Sequence, residues 1–176
     1  MKTIKPLLIN NLDFALSEQT TSGSVDLPAL QRLIDLLALP IGELDQYYQM
    51  ASIQYKLAGF ARKHNHASLH LAVDAELPTF CQRCLGEMTL QLRLDFDYII
   101  SDIEPSEFDA DDDIDWLEAS REMNVWELIE DELLIAFPIA PVHSAAQQEK
   151  CVSYNMQSGE KPNPFAVLKN LPKKSS

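Results

Sequence analysis

Two cysteines three residues apart are the groups in this chain best suited to chemistry. They lie in segment 80–86, which reads FCQRCLG, and two thiolates at this spacing on a tight turn can bind one tetrahedral metal ion. Two more ligands are needed, and the chain offers one further cysteine and a histidine eight residues before it. The spacing predicts a zinc site made by Cys81, Cys84, His143 and Cys151.

Two alternatives to a zinc site remain open for this pair. The thiols could stand on the turn without a metal, with Cys151 in a loose tail. A thioredoxin-like redox role is less favoured, because it relies on a helix N-terminus to lower the pKa of the first thiol. Three cysteines without a recognisable secretion signal or membrane span favour a cytoplasmic location, where thiols stay reduced.

The cysteines stand between two runs of alternating apolar and polar residues, which predict antiparallel strands with one wet face. The apolar positions are Leu69, Leu71, Val73, Ala75 and Leu77 before the turn, and Leu90, Leu92, Leu94, Phe96 and Tyr98 after it. We therefore expect strands over 67–77 and 87–100. Another strand is expected within 47–62, with a polar hairpin tip at 63–66, and a short first strand at 4–9.

Two helices are expected to cover the sheet. The first runs through 28–37, with Pro28 in its first turn. The second runs from an Asn124 cap to Phe137, with Glu127 completing a capping box. Its apolar stripe is Trp126, Ile129, Leu133, Leu134 and Phe137, while Glu127, Glu130 and Asp131 face away. The fold class is α+β, an antiparallel β-meander of four or five strands packed by two helices.

Charge is distributed unevenly along the chain. The formal net charge is −13, but residues 1–149 hold 26 acids and 9 bases, and the remainder holds five lysines and one acid. We expect a core domain over 1–142, with an acidic loop at about 101–120, and a basic tail over 143–176. An acidic body disfavours a non-specific grip on nucleic acid and favours basic protein partners. A small basic patch could still contact RNA through Lys56, Arg62, Lys63 and Arg83, although a solvated hairpin tip explains the same residues.

Catalysis has little support in the sequence. The chain contains no GxSxG, P-loop, GxGxxG or HExxH motif, and its paired carboxylates lie in the expected loop or on an exposed helix face. We therefore expect a protein that is not an enzyme.

Four segments together resemble the YceD family: 76–84 (ELPTFCQRC), 129–138 (IEDELLIAFP), 141–143 (PVH) and 161–168 (KPNPFAVL). The resemblance implies a small cytoplasmic protein needed for accumulation of large-subunit (23S) ribosomal RNA, with no established enzymatic activity. Some members carry a fuller cysteine set near the C-terminus that implies zinc, and here only Cys151 and His143 match it. The partner it suggests is a large-subunit ribosomal protein or precursor particle, with only weak direct contact to ribosomal RNA and none to membrane.

The last of these segments would suit a short docking motif, because its two prolines lower the entropy lost on binding. The expected partner-binding residues are Lys161, Pro162, Asn163, Pro164, Phe165, Val167 and Leu168. The same segment could instead fold back onto the core of the domain. The leading hypothesis is thus a ribosome-biogenesis factor, followed by a zinc-stabilised adaptor unrelated to ribosomes, and then by a nuclease or thiol oxidoreductase.

Overall fold

A five-stranded sheet forms the centre of the computed structural model, which describes residues 5–63, 66–101 and 114–144. The strands lie in the order β2-β3-β4-β5-β6, and a separate pair joins β1 to β7. The bounds are β1 Leu8–Ile9, β2 Thr20–Ser24, β3 Ser52–Lys63, β4 His66–Phe80, β5 Glu87–Ile100, β6 Ile114–Leu117 and β7 Met123–Asn124. All pairs are antiparallel except β5 with β6, which is parallel.

Four α-helices accompany the sheet in the described ranges: α1 Asn11–Leu16, α2 Gln31–Leu37, α3 Leu44–Met50 and α4 Val125–Ala136. Two 3-10 turns, Leu27–Ala29 and Ile41–Glu43, precede α2 and α3. None of these helices is long and apolar enough to cross a membrane. The spatial contacts between Cα atoms divide the chain into two compact units, 1–142 and 143–176, and the second is described only at His143 and Ser144.

The core lies on the face of the sheet that the alternation predicts. The five apolar positions of β4, from Leu69 to Leu77, are all essentially buried. They pair across to β5, for example Leu69 with Tyr98 and Leu71 with Phe96. On the other face, His70 Nδ1 lies 2.9 Å from Asp97 Oδ1, and His70 Nε2 lies 3.6 Å from Asp95 Oδ2.

The predicted α+β class is confirmed, and the two strands flanking the cysteines form as expected. Several boundaries differ. Tyr47 was expected in a strand, but it lies in α3 with its ring buried in the core, and the strand begins only at Ser52. The first helix is shorter than 28–37, because Pro28 lies in a 3-10 turn and Leu30 interrupts it.

Two further elements differ from the expectation. The acidic stretch was expected to remain a loop, but its end forms β6, which pairs with β5 from Asp97 to Ile100. Residues 102–113 of that loop lie outside the described residues, as do Ile4 and positions 64–65 of the hairpin tip. Helix α1, which the sequence did not predict, packs on the sheet where β3 carries a glycine.

Asn11 ties α1 to the segment after β6. Its side chain is fully buried, donates to the carbonyl of Glu118 at 2.9 Å and accepts from the Ser120 amide at 2.8 Å. The backbone amide of Asn11 donates to the Ser120 carbonyl at 3.0 Å. A buried amide side chain with its partners satisfied holds two distant segments in one arrangement.

Candidate functional site

The turn between β4 and β5 carries the two cysteines and is closed by its own backbone. The Cys81 amide donates to the Gly86 carbonyl at 2.9 Å, and the Leu85 amide donates to the Cys81 carbonyl at 2.8 Å. Leu85 adopts a left-handed conformation with φ of 58°. These bonds fold segment 81–86 into a compact knuckle, which brings both thiols to one side of the turn.

Three of the four predicted metal ligands come together at this knuckle. The ligand atoms of Cys81, Cys84 and His143 all lie within 4.8 Å of one another, a spacing at which they could hold one ion. Cys81 is fully buried, His143 is 5% exposed and Cys84 is partly exposed. Two sulfurs and one imidazole suit zinc among the common metals. Cys151, the fourth predicted ligand, lies outside the described residues.

Backbone pairing helps to bring the end of the described chain to the knuckle. The Gln82 amide donates to the Pro141 carbonyl at 2.8 Å. Pro138 ends α4 as the sequence predicted, and the chain then runs back toward the turn. A proline after a helix stops it by removing an amide donor, and the long-range bond from Gln82 to Pro141 then holds the segment at the turn.

Helix α3 contacts the residues on both sides of the knuckle through Tyr47. The Tyr47 hydroxyl donates to the Glu87 carboxylate at 2.6 Å, one residue after the turn. The Tyr47 ring meets Phe80 edge-on with centroids 6.3 Å apart. The hydrogen bond to Glu87, with burial as a second cause, raises the pKa of Tyr47 to about 12. The residues on both sides of the knuckle are therefore fastened to the core.

The setting of the thiols is that of a strand–turn–strand. Cys81 directly follows β4, and the described α-helices begin elsewhere, at Asn11, Gln31, Leu44 and Val125. A helix dipole directed at the first thiol is therefore not part of this site, which weakens the redox alternative.

The four basic residues expected to contact RNA are not gathered in one place. Lys56 is exposed on the wet face of β3. Lys63 pairs with His66 where β4 begins, and Arg83 follows the end of that strand in the knuckle. A strand of 15 residues is roughly 45 to 50 Å long when straight, so these two positions lie at opposite ends of it. The side chains of Arg62 and Lys63 are outside the described set.

Two carboxylates of α4, Glu130 and Glu132, are buried. The first was expected on the outward face, and the second was not assigned to a face. Glu130 was placed on the outward face, but it is 5% exposed and accepts from the Leu33 amide at 3.1 Å. Glu130 Oε2 also accepts from Arg32 Nε at 2.9 Å, and it lies 2.8 Å from Nη2 of the same guanidinium. The sequence prediction failed because it placed Glu130 on the outward face together with Glu127 and Asp131.

Glu132 is the second buried carboxylate, and it accepts a hydrogen bond from the Tyr98 hydroxyl at 2.7 Å. Burial raises the pKa of Glu132 despite the opposing effect of this bond, and nearby Asp115 and Asp131 raise it further. Burial, followed by the bond to Glu132, raises the pKa of Tyr98. The sequence did contain a signal for the burial of Glu132. Glu132 lies seven residues after Val125, and that spacing returns to the same face of the helix.

The predicted partner-binding residues in 161–168 lie outside the described residues. Their role therefore stays a prediction.

The fold and the site define a small α+β protein with a thiol–imidazole knuckle at the end of a long β-hairpin. The family model described as "Large ribosomal RNA subunit accumulation protein YceD" matches residues 69–172, which include β5, the knuckle and α4. This chain belongs to the YceD family, as its motifs indicated.

A relative from Haemophilus influenzae carries the same description as its name. It is 31% identical over 119 residues, which span 58% of this chain and 62% of the relative. The match thus covers less than two thirds of the relative's length. No solved structure is significantly similar to this chain.

Proposed function

We propose that this chain supports the accumulation of large-subunit (23S) ribosomal RNA as a non-catalytic factor in the cytoplasm. Membership of the YceD family carries the proposal, because both the family description and the relative's printed name refer to accumulation of this RNA. The absence of catalytic motifs in the sequence favours a binding role over an enzymatic one.

The proposed partner is a basic ribosomal protein of the large subunit or a precursor particle. The charge of the molecule supports this choice, since residues 1–149 hold 26 acids against 9 bases. Such a body attracts basic proteins and repels phosphate. Direct contact with ribosomal RNA through Lys56, Arg62, Lys63 and Arg83 would accordingly be weak. We assign the docking motif to residues 161–168 of the tail.

We further propose that the knuckle binds zinc. Cys81, Cys84 and His143 would hold the ion, and Cys151 would be the fourth ligand. A zinc ion with four protein ligands has no open position for substrate, so its contribution would be structural. The core domain 1–142 and the tail 143–176 are proposed as the two functional parts of the chain.

Sedimentation of a cell extract tests the main proposal. The extract is run through a low-salt sucrose gradient and probed for this protein and for immature large-subunit RNA. The total large- to small-subunit RNA ratio is compared in cells with and without the protein. Co-migration with precursor particles and a lower large-subunit share in its absence are expected. A protein found only at the top of the gradient, with unchanged ratios, would contradict the proposal.

A zinc-stabilised protein-binding adaptor unrelated to ribosomes is the second candidate. The clustered ligand atoms of the knuckle are the observation in its favour. It predicts a zinc-dependent partner together with unchanged ribosomal RNA ratios in cells that lack the chain.

A further inference from the structure

A groove of about 550 Å³ lies between the start of α2 and the first turns of α4. Its apolar lining includes Pro6, Pro28 and the half-buried ring of Trp126. Its polar lining includes Arg32 and three carboxylates, Glu127, Glu130 and Asp131. We call this feature the Trp126 groove. It lies wholly within unit 1–142 and is separate from the knuckle.

The single guanidinium of the groove is already engaged. Arg32 contacts Glu130 at 2.8 Å and Asp131 at 2.6 Å, so its charge is balanced inside the protein. Within the part of the chain that the structure describes, the Glu127 carboxylate has no hydrogen bond or ion pair and is exposed, so the capping box expected at Glu127 does not form. The lining of three acids and one base leaves a net negative rim beside an aromatic ring.

An indole ring with a carboxylate at its side is a good receptor for a guanidinium or ammonium group. The cation stacks on the ring face and pairs with the carboxylate. The Trp126 Nε1–H also makes no bond to the described residues, so it is available to donate to a peptide carbonyl. The two proline rings add rigid apolar surface of the kind that extended peptides pack against. Nucleic acid is disfavoured, because the rim would repel phosphate.

We propose that the Trp126 groove binds an extended Lys- or Arg-bearing segment of a protein partner. The inference rests on the proposed function in taking that partner to be basic. It deepens that function by giving the core domain its own docking surface, distinct from the tail motif.

Trp126 fluorescence tests the proposal directly. The chain has two tryptophans, so Trp116→Phe leaves Trp126 as the sole indole reporter in the full-length protein. A synthetic peptide of arginine, proline and serine is titrated into this variant, alongside a peptide with glutamate in place of each arginine. We expect a saturable change in emission with the arginine peptide and none with the glutamate peptide.

A matched pair of charge variants separates the groove from the overall charge of the body. In the same background, Glu127→Gln removes one negative charge from the groove, and Asp45→Asn removes one from an exposed position of α3. We expect the peptide to bind the Glu127→Gln variant roughly three- to fivefold more weakly and the Asp45→Asn variant almost unchanged. Circular dichroism confirms that both variants are folded.

Three outcomes would overturn the proposal: no saturable change at Trp126, equal weakening by both substitutions, or an equal response to a single-stranded RNA oligonucleotide. Complementation distinguishes these failures from failure of the proposed function. If the wild-type chain restores the ribosomal RNA ratio and Glu127→Gln restores it fully, the groove is not used. If the wild-type chain does not restore the ratio, the proposed function itself fails.

Discussion

At the scale of single residues, the buried carboxylates of α4 are the groups whose surroundings most affect stability. Glu130 uses both oxygens, one for the Leu33 amide and the other for Arg32. A buried charge is tolerated only when such partners replace the water it has lost. Glu130 therefore joins α4 to α2 at one defined position. Removal of its carboxylate would leave the buried Leu33 amide without this partner.

We expect Glu130→Ala to lower the free energy of unfolding by about 2 to 3 kcal/mol, because it removes both contacts at once. Asp131→Ala is the control, since Asp131 binds the same guanidinium but is half exposed, and its loss should cost less than about 1 kcal/mol. Urea unfolding followed by circular dichroism measures both. Equal losses would show that the bond to the Leu33 amide adds nothing.

The raised pKa of Glu132 predicts that stability changes with pH in the opposite direction to that expected for a salt-bridged acid. Burial raises its folded pKa above the ordinary value of 4.5, so between these two pKa values the folded chain holds a proton that the unfolded chain has released. By linkage, this group lowers stability as pH rises through that window, and the penalty disappears as pH falls below 4.5.

Glu132→Gln should remove this penalty and keep an oxygen that can accept from the Tyr98 hydroxyl. The stability of the variant relative to the wild type is expected to increase as pH rises from about 4.5, the ordinary value of the carboxyl, toward neutrality. Urea unfolding at a series of pH values measures the difference. A difference that is constant with pH would contradict the raised pKa.

At the scale of elements, α1 and β3 approach so closely that only glycine fits between them. A Cβ added at Gly59 would lie 2.5 Å from the Phe14 carbonyl oxygen and 2.8 Å from the Ala15 Cα. Both of those atoms belong to the backbone, so a rotamer change cannot relieve the clash. The helix would have to move away from the sheet.

Gly59→Ala should therefore destabilise the fold by about 1 to 3 kcal/mol, the usual cost of overpacking. Gly42→Ala is a matched control, because nothing lies within 4 Å of its added Cβ and its φ is not positive. That substitution should be neutral or slightly stabilising. Thermal unfolding of the two variants measures the difference. Similar unfolding midpoints would contradict the close approach of α1 to β3 at Gly59.

The knuckle is the second element whose geometry makes a prediction. If it binds zinc, the loaded chain should contain one metal ion and unfold at higher urea than the chain treated with a chelator, because metal binding stabilises only the folded form. Cys84→Ser should abolish both the metal and this difference. Elemental analysis and urea unfolding measure the effect.

Cys151→Ser tests the fourth ligand separately. If Cys151 completes the site, this substitution should weaken zinc binding in a competition with a colorimetric chelator. An unchanged affinity would remove Cys151 from the site and leave the other three ligands in place.

At the scale of the whole molecule, a net charge of −13 on 176 residues produces self-repulsion that opposes folding. We expect the free energy of unfolding at pH 7 to rise as sodium chloride increases from low ionic strength to about 0.15 M, where charges farther apart than about 8 Å are screened. Near the sequence pI of about 4.6 this salt effect should largely disappear. A salt response that is the same at both pH values would contradict this explanation.

The sequence alone determined the elements whose signals are local. Period-two alternation located β4 and β5, because one face of each strand is buried and a slip of one residue would expose it. Asn124 and Pro138 bounded α4, since a cap and a missing donor act within one turn of the chain. The same alternation, which stops on both sides of the cysteines, placed the two thiols on a turn.

Only the tertiary structure decided which distant residues meet. His143 lies beside the two thiols, and Glu130 forms an ion pair with Arg32. The absence of a side chain at Gly59 lets α1 pack closely against β3. Each of these contacts joins positions far apart in sequence, and neither spacing nor composition records how the elements pack. The apolar stripe of α4 placed Glu130 on the outward face, because a sequence cannot show that a partner from another helix will compensate for burial.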